Sequence, residues 1–166
     1  MTERSPPLLA PLALVVAVAL AACGAEPSSR VDLAAHAQAA REPAELQVGD
    51  TTIRASLAPT AAFAPAIAQR YGVQPDRGVH LLLVGVRSGP AHDETSLAAR
   101  VEARARDLRG VWQQVPMREV RSEGFIDYAG GVRVSPPDTL AVEVTVRLPG
   151  ADAPAVLRFS RDILPP

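Results

Sequence analysis

Histidine, cysteine and carboxylate side chains are the residue types that ligate metals and transfer protons. The chain of 166 residues contains three histidines and one cysteine. Only His92 has acidic neighbours, in the loop run His92-Asp93-Glu94, where consecutive side chains point in different directions. His36 has no ligating partner nearby, and His80 lies in an apolar run typical of a core strand. The sequence therefore predicts no metal site and no bound cofactor.

Catalytic constellations of other kinds are also missing from the sequence. Glycan-cleaving enzymes need two carboxyl groups about 5–10 Å apart. Glu119, Glu123 and Asp127 recur every four residues, but the rise of an extended strand would separate them widely. The chain has no G-x-S-x-G elbow and no glycine-rich phosphate loop. We therefore predict no catalytic residue.

Arginines form the one pattern that favours a binding site. If residues 97–108 and 112–121 form a hairpin, arginines from both strands share its outward face. The predicted arginine face consists of Arg100, Arg104, Arg106, Arg118 and Arg121. Guanidinium groups match phosphate and carboxylate geometry, so this face would suit an anionic partner. An ordinary solvated strand face, with Glu102 among the arginines, is the alternative.

The elements that must position these residues are mainly strands. Residues 140–148 alternate strictly, with apolar side chains at the even positions, which is the period of a half-buried strand. Further strands are predicted over 46–57 with a turn at Gly49-Asp50, over 78–87, and over 155–163. A strand over 124–134 should carry a bulge or tight turn at Gly130-Gly131.

Two segments require a choice between helix and strand. Residues 97–108 are rich in helix formers, but apolar and charged residues alternate along them, and we favour a strand. Pro116 would confine its partner strand to an edge or a bulge. One short helix is predicted in 61–73, with Pro65 in its first turn. Its packed face should present Phe63, Ile67 and Tyr71.

The N-terminal segment is typical of an export signal. The apolar run from residue 12 to residue 22 is too short for a hydrocarbon core of about 30 Å, but it suits the h-region of a signal peptide. It ends in Leu20-Ala21-Ala22-Cys23, which resembles the lipobox of bacterial lipoproteins. This resemblance implies cleavage before Cys23 and lipidation, including palmitate, of that cysteine. Gly24, rather than an aspartate, favours the outer membrane over the inner membrane.

The predicted organisation has three parts. Residues 1–22 form the signal peptide, residues 23–44 form the lipidated N-terminus with a flexible or partly helical tether, and residues 45–166 form the domain. As random coil the tether would reach about 25 Å from the membrane. The net charge of −1 argues against nucleic acid as a partner.

The segments TTIRASLAPTAAFAPAIAQRYGV, GVHLLLVGV and MREVRSEGFIDY resemble a family of small exported proteins of Gram-negative bacteria, the domain of unknown function 4426 family. The likeness covers residues 46–159. It implies a single immunoglobulin-like antiparallel β-sandwich with one short helix and no established activity. Asp127 departs from the family pattern, in which a second aromatic residue is expected.

These observations together predict a lipid-anchored periplasmic lipoprotein that acts as a non-enzymatic binding or accessory module of the cell envelope. Its partners would be the membrane, through Cys23, and an envelope protein, lipopolysaccharide or peptidoglycan. The alternative is an envelope hydrolase for a glycan or ester, with a site assembled from distant residues.

Overall fold

The computed structural model describes residues 42–165. The predicted signal peptide, Cys23 and the tether as far as residue 41 lie outside these residues. Within the described part, no helix combines the length and the apolar character that crossing a membrane requires.

Strands dominate the described residues. Their bounds are β1 (Ala44–Val48), β2 (Thr51–Pro59), β3 (Val79–Ser88), β4 (Thr95–Ser96), β5 (Arg100–Arg106), β6 (Trp112–Val115), β7 (Arg118–Ser122), β8 (Phe125–Arg133), β9 (Asp138–Arg147) and β10 (Ala155–Ile163). A 3-10 turn (Thr60–Ala62) and a short helix α1 (Pro65–Arg70) connect β2 to β3.

The strands form two antiparallel sheets. The first sheet has the order β1-β2-β3-β8-β7, with β4 paired to β3, and the second has the order β10-β9-β5-β6. The sheets pack face to face around one apolar core. The predicted mainly-β sandwich is therefore confirmed.

Alternating apolar residues on the inner faces of both sheets build the core. Leu82 and Val84 of the first sheet and Leu140, Val144 and Val146 of the second are completely buried. The period-two pattern predicted for residues 140–148 is confirmed, because the intervening residues of β9 are only half-buried. The turn predicted at Gly49-Asp50 joins β1 and β2 as a hairpin.

A second apolar cluster lies on the outer face of the first sheet, beneath α1. Ala68 and Val73 pack there on Leu81, Val120 and Ala129. The predicted packed face of the helix is partly wrong. Phe63 and Tyr71 do contact this cluster, but Ile67 is 39% exposed. The helix begins only at Pro65, so the helical spacing assumed from Phe63 onward does not hold.

Residues 97–108 contain strand β5, as the alternation predicts, and β5 pairs with β6 in a hairpin. The predicted partner strand over 112–121 is wrong as a single element. It divides at Pro116 into β6, in the second sheet, and β7, in the first. Proline has no N–H to donate to a ladder, and the chain crosses between the sheets there.

The bulge or turn predicted at Gly130-Gly131 is also wrong. Strand β8 pairs with β3 in unbroken register across both glycines. A Cβ atom on Gly130 would lie 2.6 Å from Val115 Cγ1 and 2.8 Å from Met117 Sδ. The absent side chain therefore makes room for the crossing segment, rather than for a bend in the strand.

Candidate functional site

The structure divides the predicted arginine face between the two sheets. Arg100, Arg104 and Arg106 lie on β5, in the second sheet. Arg118 and Arg121 lie on β7, in the first sheet, so they cannot join the others on one surface. Pro116 is the reason, because the chain changes sheets at that residue.

The two separated arginines have local partners. Arg118 donates hydrogen bonds from Nε to the carbonyl oxygen of Tyr71 and from Nη2 to that of Arg70. These bonds satisfy carbonyl groups at the end of α1, where helices leave such groups free. Arg121 forms an exposed ion pair with Glu119. The contacts of Arg118 make it a positioning residue for the helix.

The outer face of the second sheet keeps the other three arginines and adds two more. Strand register places Arg147 opposite Arg100, and Arg158 opposite Glu143, on this face. The acidic residues of the same face are Glu102, Glu143 and Asp162. This face therefore carries five arginines and three carboxylates, so its net charge is positive.

Trp112 lies between two of these arginines at the edge strand β6. The guanidinium carbon of Arg104 is 4.3 Å, and that of Arg106 is 5.1 Å, from the centre of the indole ring. Trp112 remains 42% exposed. Cations over an aromatic face are attracted by the ring quadrupole, so Trp112 holds both guanidinium groups at the surface.

Glu143 organises the centre of this face. Its carboxylate accepts hydrogen bonds from Arg158 Nε at 2.8 Å and from Arg104 Nε at 2.9 Å. These bonds, the one from Arg158 above all, lower the pKa of Glu143. Within residues 42–165, Arg106 and Arg147 form no ion pair with a carboxylate. Their charges are the ones available to an anionic partner.

A cleft of about 280 Å³ opens at one end of the sandwich. We call it the His80 cleft. Its walls come from the end of β2 with the 3-10 turn, from the loop before β3 with the start of β3, from the loop before β9, and from the end of β10. The lining residues are Leu57, Pro59, Ala61, Arg77, His80, Pro136, Arg161, Asp162, Ile163 and Leu164.

His80 is the buried polar residue of this cleft. It is 7% exposed, on the inward side of β3. Its Nδ1 atom has no hydrogen-bond partner among the described residues. Burial lowers the pKa of His80, because desolvation disfavours the charged imidazolium. The ring is therefore neutral at neutral pH.

The cleft lacks the arrangement that hydrolysis needs. Among the described residues, Asp162 is the only carboxylate that lines the cleft, and it accepts a hydrogen bond from Thr139 Oγ1 at 2.7 Å. Glycoside hydrolysis uses two carboxyl groups. In the part of the chain that the structure describes, no serine, threonine, cysteine or tyrosine lines the cleft as a nucleophile.

The other acidic residues considered as catalytic or metal-binding groups either form ion pairs or lie away from the His80 cleft. Arg54 donates to both carboxylate oxygens of Glu94, at 2.8 and 2.7 Å, and lowers the pKa of that group. Asp127 pairs with Arg87, and Glu123 lies in a turn with a φ of 51°. In the described residues, no three His, Cys, Asp or Glu side chains come close enough to hold a metal ion.

Sequence reasoning missed the His80 cleft because four separate segments supply its walls. The one signal for it was a histidine within an apolar strand. Reasoning also missed Arg147, Arg158 and Trp112. Strand order in the second sheet, which brings β9 beside β5 and β10 beside β9, cannot be read from spacing along the chain.

Comparison with known proteins agrees with the fold. A crystal structure of a DUF4426 family protein from Pseudomonas aeruginosa matches with a TM-score of 0.65 and 20% identity, covering 75% of this chain and 96% of that one. A copper-bound variant of FetP from uropathogenic Escherichia coli matches with a TM-score of 0.52 and 9% identity, covering 73% and 95%. No curated protein matches the chain.

The family model described as "Domain of unknown function (DUF4426)" matches residues 45–165. This match spans far more than half of the 166 residues. The chain therefore belongs to the DUF4426 family.

Proposed function

We propose that this protein is a lipid-anchored periplasmic lipoprotein whose domain acts as a non-enzymatic binding module for an anionic component of the cell envelope. The observation that carries the proposal is the outer face of the second sheet. Arg106 and Arg147 extend from a regular sheet without carboxylate partners in the described part of the chain, beside the exposed ring of Trp112. The partner class is a protein, lipopolysaccharide or peptidoglycan that presents phosphate or carboxylate groups.

The rigidity of this surface supports a binding role. Arg104 is fixed by Glu143 on one side and by the Trp112 ring on the other. A guanidinium that is already ordered loses less conformational entropy when it binds. Arginine and tryptophan are also among the residues that most often dominate the binding energy at protein interfaces.

The anchor is proposed from the lipobox-like ending at Cys23 and from the linker that follows. Two or three acyl chains hold a protein on a membrane stably, whereas one chain gives only marginal binding. The tether would bring the outer face of the second sheet within reach of other envelope components. Gly24 favours the outer membrane.

The hydrolase alternative and a metal-binding role receive less support. Although His80 and Asp162 line one cleft, a second carboxyl group and a nucleophile are missing from its walls. FetP was solved with copper, but the ligating residues of the described part of this chain form no group of three. We therefore do not extend copper binding to this chain.

Labelling with radioactive palmitate in a Gram-negative host tests the anchor. We expect the wild-type protein to take up label and Cys23→Ser to lose it completely, because the thiol is the acceptor and Cys23 is the only cysteine. Gly24→Asp is the matched control. It should keep the label and move the protein towards the inner-membrane fraction. Equal labelling of wild type and Cys23→Ser would refute the anchor.

A further inference from the structure

We propose that the His80 cleft binds a medium-chain carboxylate, with the apolar chain inside the cleft and the anionic head at its arginines. The cleft and the outer face of the second sheet share only the edge residue Asp162. The inference therefore does not rest on the binding role proposed for that face.

The apolar part of the cleft suits a hydrocarbon chain. Six of its ten lining residues are apolar, and they are Leu57, Pro59, Ala61, Pro136, Ile163 and Leu164. Leu164 is 75% exposed, which is a large apolar surface left in water at the rim. Small-molecule sites are concave and mostly apolar, with a few placed polar groups that fix orientation, and this cleft has that composition.

The size of the cleft limits the ligand. The volume of about 280 Å³ lies at the lower end of the range for small-molecule sites, which is about 300–1,000 Å³. A medium-chain acid fills this space, whereas a complete diacyl lipid does not.

The charge of the cleft suits an anionic head. Arg77 and Arg161 line it and have no carboxylate partner in residues 42–165. Arg161 is held in place because its Nη1 and Nη2 donate to the carbonyl oxygens of Ser160 and Glu42. The single carboxylate, on Asp162, is already bound by Thr139. The described lining of the cleft therefore carries two guanidinium groups and one carboxylate, and the carboxylate is already hydrogen-bonded to Thr139.

His80 adds a buried polar group to the lining of the cleft. Native structures rarely leave a buried polar atom without a partner unless there is a reason. His80 Nδ1 is such an atom among the described residues. A neutral imidazole carries one N–H, which can donate a hydrogen bond to a carboxylate or to a water that the carboxylate holds.

Photoaffinity labelling of the full-length protein in lipid nanodiscs tests this inference. The probes are a diazirine-bearing octanoate and the matching diazirine-bearing octanol, which has the same chain without the charge. We expect the octanoate to label peptides that contain residues 57–61 and 162–164. The octanol should label these peptides about ten-fold less, since hydrogen bonds to a charged group contribute about 1.5 kcal/mol or more.

Two variants and a matched control identify the groups involved. Arg77→Gln should reduce octanoate labelling about ten-fold for the same reason. Ala61→Trp should abolish it by filling the cleft, and Arg109→Gln should leave it unchanged because Arg109 pairs with Asp107 elsewhere. Equal labelling by the two probes, full labelling of Arg77→Gln, or label spread evenly over the protein would overturn the inference.

Discussion

Replacing Leu82 with Ala should lower the free energy of unfolding by about 3 kcal/mol or more. Leu82 is completely buried in the core between the sheets. Its truncation removes the transfer free energy of the lost atoms and leaves a cavity that rigid sheets cannot close. A domain of this size is stabilised by only about 5–15 kcal/mol, so the loss is a large part of the total.

Urea unfolding followed by circular dichroism measures this change as a lower midpoint with an unchanged slope. Leu108→Ala is the matched control, because Leu108 is 72% exposed. We expect that control to change stability by less than about 0.5 kcal/mol. A Leu82→Ala effect no larger than that of Leu108→Ala would mean that the two sheets do not enclose this core.

Replacing Thr60 with Val should cost about 2–3 kcal/mol although the two side chains have nearly the same shape. Thr60 is completely buried. Its Oγ1 accepts a hydrogen bond from the amide of Asp76 at 3.1 Å and lies 2.9 Å from the carbonyl oxygen of Val79, to which it donates. The valine would leave the Asp76 amide and the Val79 carbonyl without this partner in a part-buried position.

Thr52→Val is the control for the Thr60 prediction. The Thr52 hydroxyl is also mostly buried, but it donates only to Oε1 of Gln47, an exposed residue that water can satisfy. We expect a loss below about 1 kcal/mol for that variant. Equal decreases in the free energy of unfolding for Thr60→Val and Thr52→Val would contradict this prediction. They would show that the Thr60 hydroxyl does not hold the loop after α1 in place against β3. That loop carries Arg77, so Thr60→Val should also weaken octanoate labelling of the His80 cleft.

Local patterns in the sequence predict the strands because burial on one face imposes a period of two. Residues 140–148 show this pattern clearly, and β9 has the predicted inner face. Residues 97–108 are compatible with two structures, since alanine and arginine also favour helices. Their alternation still identified β5, whose alanines face the core while its charged residues face outward.

Features that depend on the pairing of distant strands could not be predicted in the same way. Pro116 indicated an edge or a bulge, but nothing local indicates that the chain changes sheets there. In the sequence, the glycine pair at residues 130 and 131 is typical of a bend in a strand. In the structure, Gly130 is required by Val115 and Met117, which approach it from the crossing segment.

The candidate sites show the same contrast between local patterns, which can be predicted, and the pairing of distant strands, which cannot. Arg100, Arg104 and Arg106 could be grouped from their spacing on one strand, and the structure does place them together on β5. Arg147 and Arg158 join them only through the strand order of the second sheet. The His80 cleft needs both sheets and two connecting loops, and the sequence pattern contains none of that information.

Photocrosslinking in living cells tests the proposed binding role most directly. A photoreactive residue in place of Gln114 lies opposite Arg104 on β6 and leaves every arginine intact. Gln69, exposed on α1, is the matched control position. Mass spectrometry of the adducts would distinguish an envelope protein from lipopolysaccharide and from peptidoglycan.

We expect one class of adduct from position 114 that is absent from position 69. Combining the probe with Arg106→Gln and Arg147→Gln, the two arginines of this face without a carboxylate partner in residues 42–165, should lower its yield about ten-fold or more, since each charged hydrogen bond contributes about 1.5 kcal/mol or more. Identical adducts from both positions, or none from position 114, would contradict the proposal that the outer face of the second sheet binds an anionic envelope component.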